Sequence, residues 1–264
     1  MQPAIILPIH DPRGIELPFL WQAESELKSL FSAAYVGFTA ATRQQQPAAA
    51  ERIQADPFYS LVFNPPGSLP GEHYRNACQL ALDSSPPEQT LHLCNLDRVA
   101  FALLTGYREA FRADCLRAGH AARPVVFQRS PRAWETHPAN YRQVESLLTQ
   151  AGQLLFGRSY DFAWCHLAIP AGLLAQVLPR LQSRDFGILI ELLLLLRPQL
   201  LTEDVDWLAW EDPFILDRDP EQLRRERETS PNETTKRLRG ILPFFEHFLR
   251  LEPSLRTELI WEKG

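Results

Sequence analysis

The segment Asn95-Leu96-Asp97-Arg98 closes the largely apolar run Leu91 to Cys94 with a carboxamide and a carboxylate two positions apart. A carboxylate at the end of a buried strand can hold a hard divalent cation beside a diphosphate. Magnesium takes one or two protein carboxylates and completes its shell with phosphate oxygens and water. The same Asp97 is equally suited to cap a helix that begins near Val99. Four further segments carry reactive side chains. Gly71 to Ala77 places Arg75 and Asn76 near a helix start, where backbone N–H groups favour anions; an exposed ion pair is the alternative. Gln128 to Pro138 gathers Arg129, Arg132, Trp134 and His137; guanidinium forks suit anions and indole faces suit sugar rings. Asp161 to His166 offers His166 as a metal ligand, as a proton donor to a leaving phosphate, or as a core histidine. Trp207 to Pro213 offers Trp210 and Glu211 to sugar hydroxyls, or is a loop anchored by buried tryptophans. Glu145, Asp161, Glu191 and Glu211 are the carboxylates available as a general base.

These residues need a scaffold, and the chain supplies alternating elements. Short apolar runs predict strands at 4–9, 33–39, 58–63 and 90–96. Helical spacing predicts helices over 18–31, 48–54, 71–83 and 99–118. Strands that read as continuous apolar runs between helices belong to a parallel sheet buried on both faces. In such open sheets ligands bind beyond the carboxyl ends of the strands. The polar residues that sit there are His10 and Asp11, Thr39 and Thr42, and Asn95 and Asp97. The second half is less regular. It predicts strands at 125–128 and 162–169, a loop over 129–138, and helices over 141–156, 170–181 and 186–196. A charged helix opens at Asp219-Pro220, and an amphipathic one spans 238–251. The apolar stripe of that last helix, Ile241, Phe244, Phe245, Phe248 and Leu249, must be buried somewhere.

The 264 residues suit one large domain, or a domain of residues 1–213 followed by a helical extension over 214–264. Hydrophobic residues make up 45% and charged residues 22%, enough to bury a core. The net charge of -5 and pI near 5.8 argue against broad nucleic-acid binding. Lys28, Lys236 and Lys263 are the only lysines, so nearly every cation is an arginine. Cys78, Cys94, Cys115 and Cys165 form neither a CxxC pair nor a disulfide framework, as expected for a reducing, cytoplasmic compartment. The start lacks the basic region and the cleavage site of a secretion signal, and the longest apolar run, Ile188 to Leu196, is too short to span a bilayer. GxxxxGK[ST], GxGxxG after the first strand, and GxSxG are all missing. Their absence disfavours P-loop, dinucleotide-binding and α/β-hydrolase chemistry.

The order of these segments resembles the GT-A nucleotide-diphospho-sugar transferases of the glycosyltransferase family 2-like group. Ala4 to Asp11 is similar to their opening strand and nucleotide-contacting loop. The 71–81 helix with Arg75-Asn76-Ala77 is similar to the helix before their metal-binding strand. Leu91 to Arg98 resembles the strand that bears their DxD motif, and Asp161 to His166 resembles a later, acceptor-side segment. The resemblance implies a GT-A-like, mostly parallel sheet flanked by helices. It further implies a glycosyltransferase moving a sugar from a nucleotide-diphosphate donor to an acceptor that the sequence does not identify. The divalent cation, Mg or Mn, would be held by Asp97 with His166. Donor and acceptor binding would fall to Pro8, His10, Asp11, Thr39, Arg75, Asn95, Arg129, Arg132, Trp210 and Glu211, with Asp161 and Glu191 as catalytic carboxylates. A homo-oligomer is compatible with this reading. The chain departs from the family where Asn95 stands in place of the first Asp, and where strand two ends in Gly37-Phe38-Thr39 without an acid. Those departures leave open an alternative: a relative that binds a nucleotide or sugar as a scaffold without transferring it. A nucleotidyltransferase would want a Gly-rich basic loop after strand one, and only Asp11-Pro12-Arg13-Gly14 is present.

Overall fold

A computed structural model describes residues 2–163 and 166–250. Seven strands form one sheet: β1 (Ala4–Ile9), β2 (Ala34–Phe38), β3 (Tyr59–Phe63), β4 (Thr90–Cys94), β5 (Val125–Arg129), β6 (His166–Pro170) and β7 (Leu201–Val205), in the order β3-β2-β1-β4-β6-β5-β7. All neighbours pair in parallel except β6, which runs antiparallel to both β4 and β5. Alternate residues of each strand feed two separate cores. Ala4 and Ile6 of β1, with Leu91 and Leu93 of β4, meet the helices Pro70–Leu82, Ala139–Phe156, Gly187–Leu196 and Pro231–Arg250. Ile5, Leu7 and Ile9, with Cys94, meet the helices Leu17–Gln22, Glu24–Leu30, Pro47–Ala55, Leu96–Leu104 and Arg108–Gly119. The expected GT-A-like sheet between two helical layers is present. The stripe of the last helix is buried in the first of these cores through Ile241, Phe244 and Phe248, while Leu249 stays exposed. No described helix is long and apolar enough to cross a membrane.

Several predicted elements are corrected. The helix expected over 18–31 is two, Leu17–Gln22 and Glu24–Leu30, separated at Ala23. The one expected over 99–118 begins earlier, at Leu96, and breaks at Thr105, where the backbone turns extended and the Thr105 hydroxyl donates to Phe101 O at 2.7 Å. A threonine hydroxyl that bonds the carbonyl four residues back competes with the helical ladder. The loop expected over 129–138 contains a short helix, Pro131–Thr136, capped by Ser130. The Trp207 to Pro213 segment contains most of one 3-10 turn, Asp206–Leu208, and the start of the short helix Asp212–Ile215. Of the strand expected at 162–169, the structure describes His166–Pro170; Asp161 to Ala163 carry no strand structure, and Trp164 and Cys165 lie outside the described residues. β7 was not predicted at all. Its sequence, Leu-Thr-Glu-Asp-Val, carries the charges of an edge strand rather than an apolar run.

Gly152 shows how tightly the first core is closed. A Cβ there would run into the Phe162 ring. Glycine inside a helix ordinarily costs about 0.5–1 kcal/mol against alanine, so Gly→Ala usually stabilises. Here the sign should reverse. Gly152→Ala is expected to lose about 1–3 kcal/mol in urea unfolding because the core must shift to admit one methyl group. A gain in stability would show that Phe162 does not pack where it is placed.

Candidate functional site

The carboxyl ends of β1 and β4 open into a cleft of about 460 Å³. β1 delivers Pro8 and His10 to it. Asp11 follows but turns inward. Its carboxylate accepts hydrogen bonds from the N–H groups of Ile15, Glu16 and Leu17, at 2.8, 2.8 and 2.9 Å. Three orphan donors at the start of the Leu17–Gln22 helix are thereby satisfied. The loop so folded places Glu16 in the cleft wall. Thr39 also works from behind. Its hydroxyl lies 3.0 Å from His10 Nδ1 and 2.9 Å from the Thr42 hydroxyl, and Thr42 Oγ1 accepts from Asp11 N at 2.8 Å. This chain of contacts fixes the His10 ring.

β4 delivers Asn95 and Asp97. Asn95 Oδ1 accepts from the Tyr74 hydroxyl at 2.9 Å. The Pro70–Leu82 helix lends His73 and Tyr74 to the cleft, not Arg75. Residues two apart on a helix project about 200° apart, so His73 and Arg75 cannot face the same way. Burial and the neighbouring His10 both lower the His73 pKa. Arg75 instead donates to Leu181 O and Ser183 O, each at 3.0 Å. Glu191 holds the same loop from the other side, accepting from Gln182 N at 2.9 Å and Ser183 N at 3.0 Å. Gly71 belongs to this clamp, because a Cβ there would lie 2.6 Å from Ser183 O. The clamped loop carries Phe186 to the rim of the cleft. Thus Arg75 and Glu191 position a wall rather than meet a ligand.

Three carboxylates lie close together, Glu16 and Asp97 in the cleft wall and Glu211 beneath it, with Arg98 beside Asp97 and Glu211. Glu211 is buried, 6% exposed, and ion-paired with Arg98. Burial raises the Glu211 carboxyl to about 8; Arg98 opposes this, while Asp97 and Asp212 add to it. Glu16 is likewise pushed from 4.5 to about 8, first by burial and then by the charges of Asp97, Asp11 and Glu211. Burial also raises Asp97. Glu16 and His73 escaped the sequence reading. Glu16 sits on the loop after β1, and nothing in its local pattern separates it from a surface glutamate.

His166 requires a correction. It is 0% exposed, lies 3.1 Å from His92, and packs edge-on against Trp207 with ring centroids 4.8 Å apart. It does not line the cleft with Asp97. The reason is register: β6 is antiparallel to β4 with His166 opposite Cys94, which turns the imidazole into the second core. Arg129 and Asp161 are also paired with each other. The Arg129 fork donates to both Asp161 oxygens at 2.6 Å, reaches Glu145 at 2.6 Å, and stacks on Trp134 at 4.0 Å. Burial raises the Asp161 carboxyl, but Arg129 overrides it and the net shift is downward. Such a carboxylate is a poor proton acceptor. Arg132 is exposed and lies 3.4 Å from Asp206. Trp210 is buried against a different depression, beside Phe101 and Phe214. The cleft therefore unites Pro8, His10, Asn95 and Asp97 of the expected residues, with Glu211 beneath. It does not unite Asp11, Thr39, Arg75, Arg129, Arg132, Asp161, His166, Glu191 or Trp210.

No protein-family model and no curated protein matches the chain. Solved structures do. A mycobacterial protein superposes with a TM-score of 0.52 at 14% identity, over 96% of this chain and 76% of that one. Glucosyl-3-phosphoglycerate synthase from Mycobacterium tuberculosis, in complex with uridine diphosphate, superposes with a TM-score of 0.50 at 12% identity, over 96% and 82%. At this identity the likeness is one of fold, and it agrees with the GT-A-like architecture.

The Arg129 cluster gives a stability test separate from the cleft. Arg129→Met should cost about 3–5 kcal/mol in urea unfolding, because it strands Asp161 in the interior and leaves Glu145 with Arg237 alone. Arg132→Ala should stay within about 0.5 kcal/mol. Equal costs would contradict the structural role of Arg129.

Proposed function

We propose that the chain is a glycosyltransferase that binds a nucleoside diphosphate sugar in the cleft at the ends of β1 and β4 and passes the sugar to an acceptor. The observation that carries this reading is the pairing of that cleft with the desolvated carboxylates Asp97, Glu16 and Glu211. The uridine diphosphate bound by the M. tuberculosis synthase of similar fold supports a nucleoside diphosphate as the ligand class.

The donor set fits a hard divalent cation. Asp97 would be its principal ligand, with Glu16 nearby and the Asn95 amide beside it. Burying three acids close together is unfavourable unless protons or a cation neutralise them. The cation, when bound, supplies positive charge to the departing diphosphate. The protein's own parts do the positioning. His10, steadied by Thr39, and His73, kept neutral by its surroundings, face the cleft as hydrogen-bonding groups for phosphate oxygens. Phe186, on the loop clamped by Arg75 and Glu191, narrows the entrance. Orienting the donor this way lowers the barrier without a covalent intermediate.

Melting temperatures measured with UDP- and GDP-sugars, with and without Mn2+, test the proposal. Wild type should show donor stabilisation that depends on the metal, together with slow donor hydrolysis. Asp97→Asn should lose the metal dependence and about a hundredfold in hydrolysis. Donor binding indifferent to both metal and Asp97 would instead indicate a nucleotide-binding protein without transfer.

The pH dependence follows from the same carboxylates. Glu16 and Glu211 bind protons more tightly in the folded chain than in the unfolded one. Their contribution to stability is therefore complete below pH 4.5 or so and is lost as pH rises through about 8. Without divalent ions, the melting temperature should fall across that window. Glu16→Gln should flatten the fall, and Mn2+ should stabilise more at pH 8 than at pH 5. A melting temperature independent of pH between 5 and 8.5 would refute the charge assignment.

A further inference from the structure

We infer that His92, Cys94 and His166 form a second, interior site that binds one thiophilic transition-metal ion, Zn2+ or Cu+. One ligand atom from each residue lies within 4.8 Å of the other two. The sheet brings them together: His92 and Cys94 are two apart on β4, and His166 faces Cys94 across the antiparallel ladder, so all three share one face. The three are 1%, 1% and 0% exposed, and none lines the cleft.

The local geometry suits a bound ion. The His92 Nε2 to His166 Nδ1 separation is 3.1 Å. Two nitrogens bound tetrahedrally at Zn–N distances of 2.0–2.1 Å stand about 3.3–3.4 Å apart, so the rings already stand close to the required spacing. Cys115 Sγ lies 3.3 Å from His92 Nδ1. That contact has the form of the outer partner that orients a ligating imidazole by accepting from its second nitrogen. Phe127 stacks on His92 and Trp207 abuts His166, fixing both rings.

Binding converts the Cys94 thiol to a thiolate and releases its proton to solvent. One thiolate and two imidazoles are soft and borderline donors, a set that selects copper or zinc over magnesium. Cu+ leaves the site neutral and Zn2+ leaves one positive charge, so the two ions are separable by experiment. Because the site is closed, the ion enters during folding.

The test uses the full chain, analysed first for metal as purified. It is then unfolded with chelator and refolded with Zn2+, with Co2+ as a spectroscopic probe, or with Cu+ under anaerobic reductant. The expected result is one equivalent of Zn2+ or Cu+ retained, a sulfur-to-cobalt charge-transfer band, and one proton released per ion. The melting temperature should rise by about 10 °C at a thousandfold excess over Kd. Cys94→Ala and His166→Phe should abolish retention, while Asp97→Asn should keep it, which separates this site from the cleft. Retention below a tenth of an equivalent by refolded wild type overturns the inference, as does equal retention by both variants. Should the variants not refold, the wild-type stoichiometry and cobalt spectrum decide alone.

Discussion

β1 and β4 lie in the middle of the sheet with a helical layer on each side, and their side chains meet no water until the strands end. A polar group on these strands must either be satisfied inside or sit at the carboxyl end. The constraint sorts the chain's chemistry into two places. At the strand ends, His10, Asn95 and Asp97 reach a cleft that admits a ligand. Within the strands, His92 and His166 are enclosed and can be answered only by each other, by a neighbouring cysteine, or by an ion. The reversed direction of β6 produces the second group, since it sets His166 directly across from Cys94.

The carboxylates divide by the same logic of solvation. Asp11 receives three backbone N–H groups, Asp161 two N–H groups of the Arg129 guanidinium, and Glu191 two backbone N–H groups. Each is answered by donors that hold the fold, although burial still raises the Glu191 carboxyl. Glu16, Asp97 and Glu211 lie close together, with Arg98 beside the last two, and carry raised pKa values. Acids whose environments drive them apart in this way assign themselves different work, some to holding the fold and others to holding charge at a site.

Much of the scaffold was legible because it is written locally. The apolar runs of β1 to β4, the Asp219-Pro220 helix start and the order of elements are properties of neighbouring residues. What escaped depends on distant partners. The edge strand β7 is held by β5 rather than by its own hydrophobicity. Arg129 has the composition of an anion-binding residue, yet its anion is Asp161, 32 positions away in the same chain. Between His73 and Arg75, only the rotation of the helix against the sheet decides which enters the cleft. His166 carries no mark of depth, and it is the register of β6 against β4 that buries it.

Asn95 takes on a different meaning in this setting. An aspartate there would add a fourth acid beside Asp97, Glu16 and Glu211, of which Glu16 and Glu211 already hold their protons to about pH 8. It would also ask the Tyr74 hydroxyl, which now pairs with a neutral amide at 2.9 Å, to serve a carboxylate. The penalty for crowding like charges in a poorly solvated place grows with each addition. If the cleft holds a cation as proposed, its acids come from Asp97, from the loop after β1 through Glu16, and from the segment after β7 through Glu211. On the proposed reading, the amide at 95 therefore does not mark a missing metal site. It marks one whose second charge was moved to elements far away in sequence, where a motif read along the chain does not look.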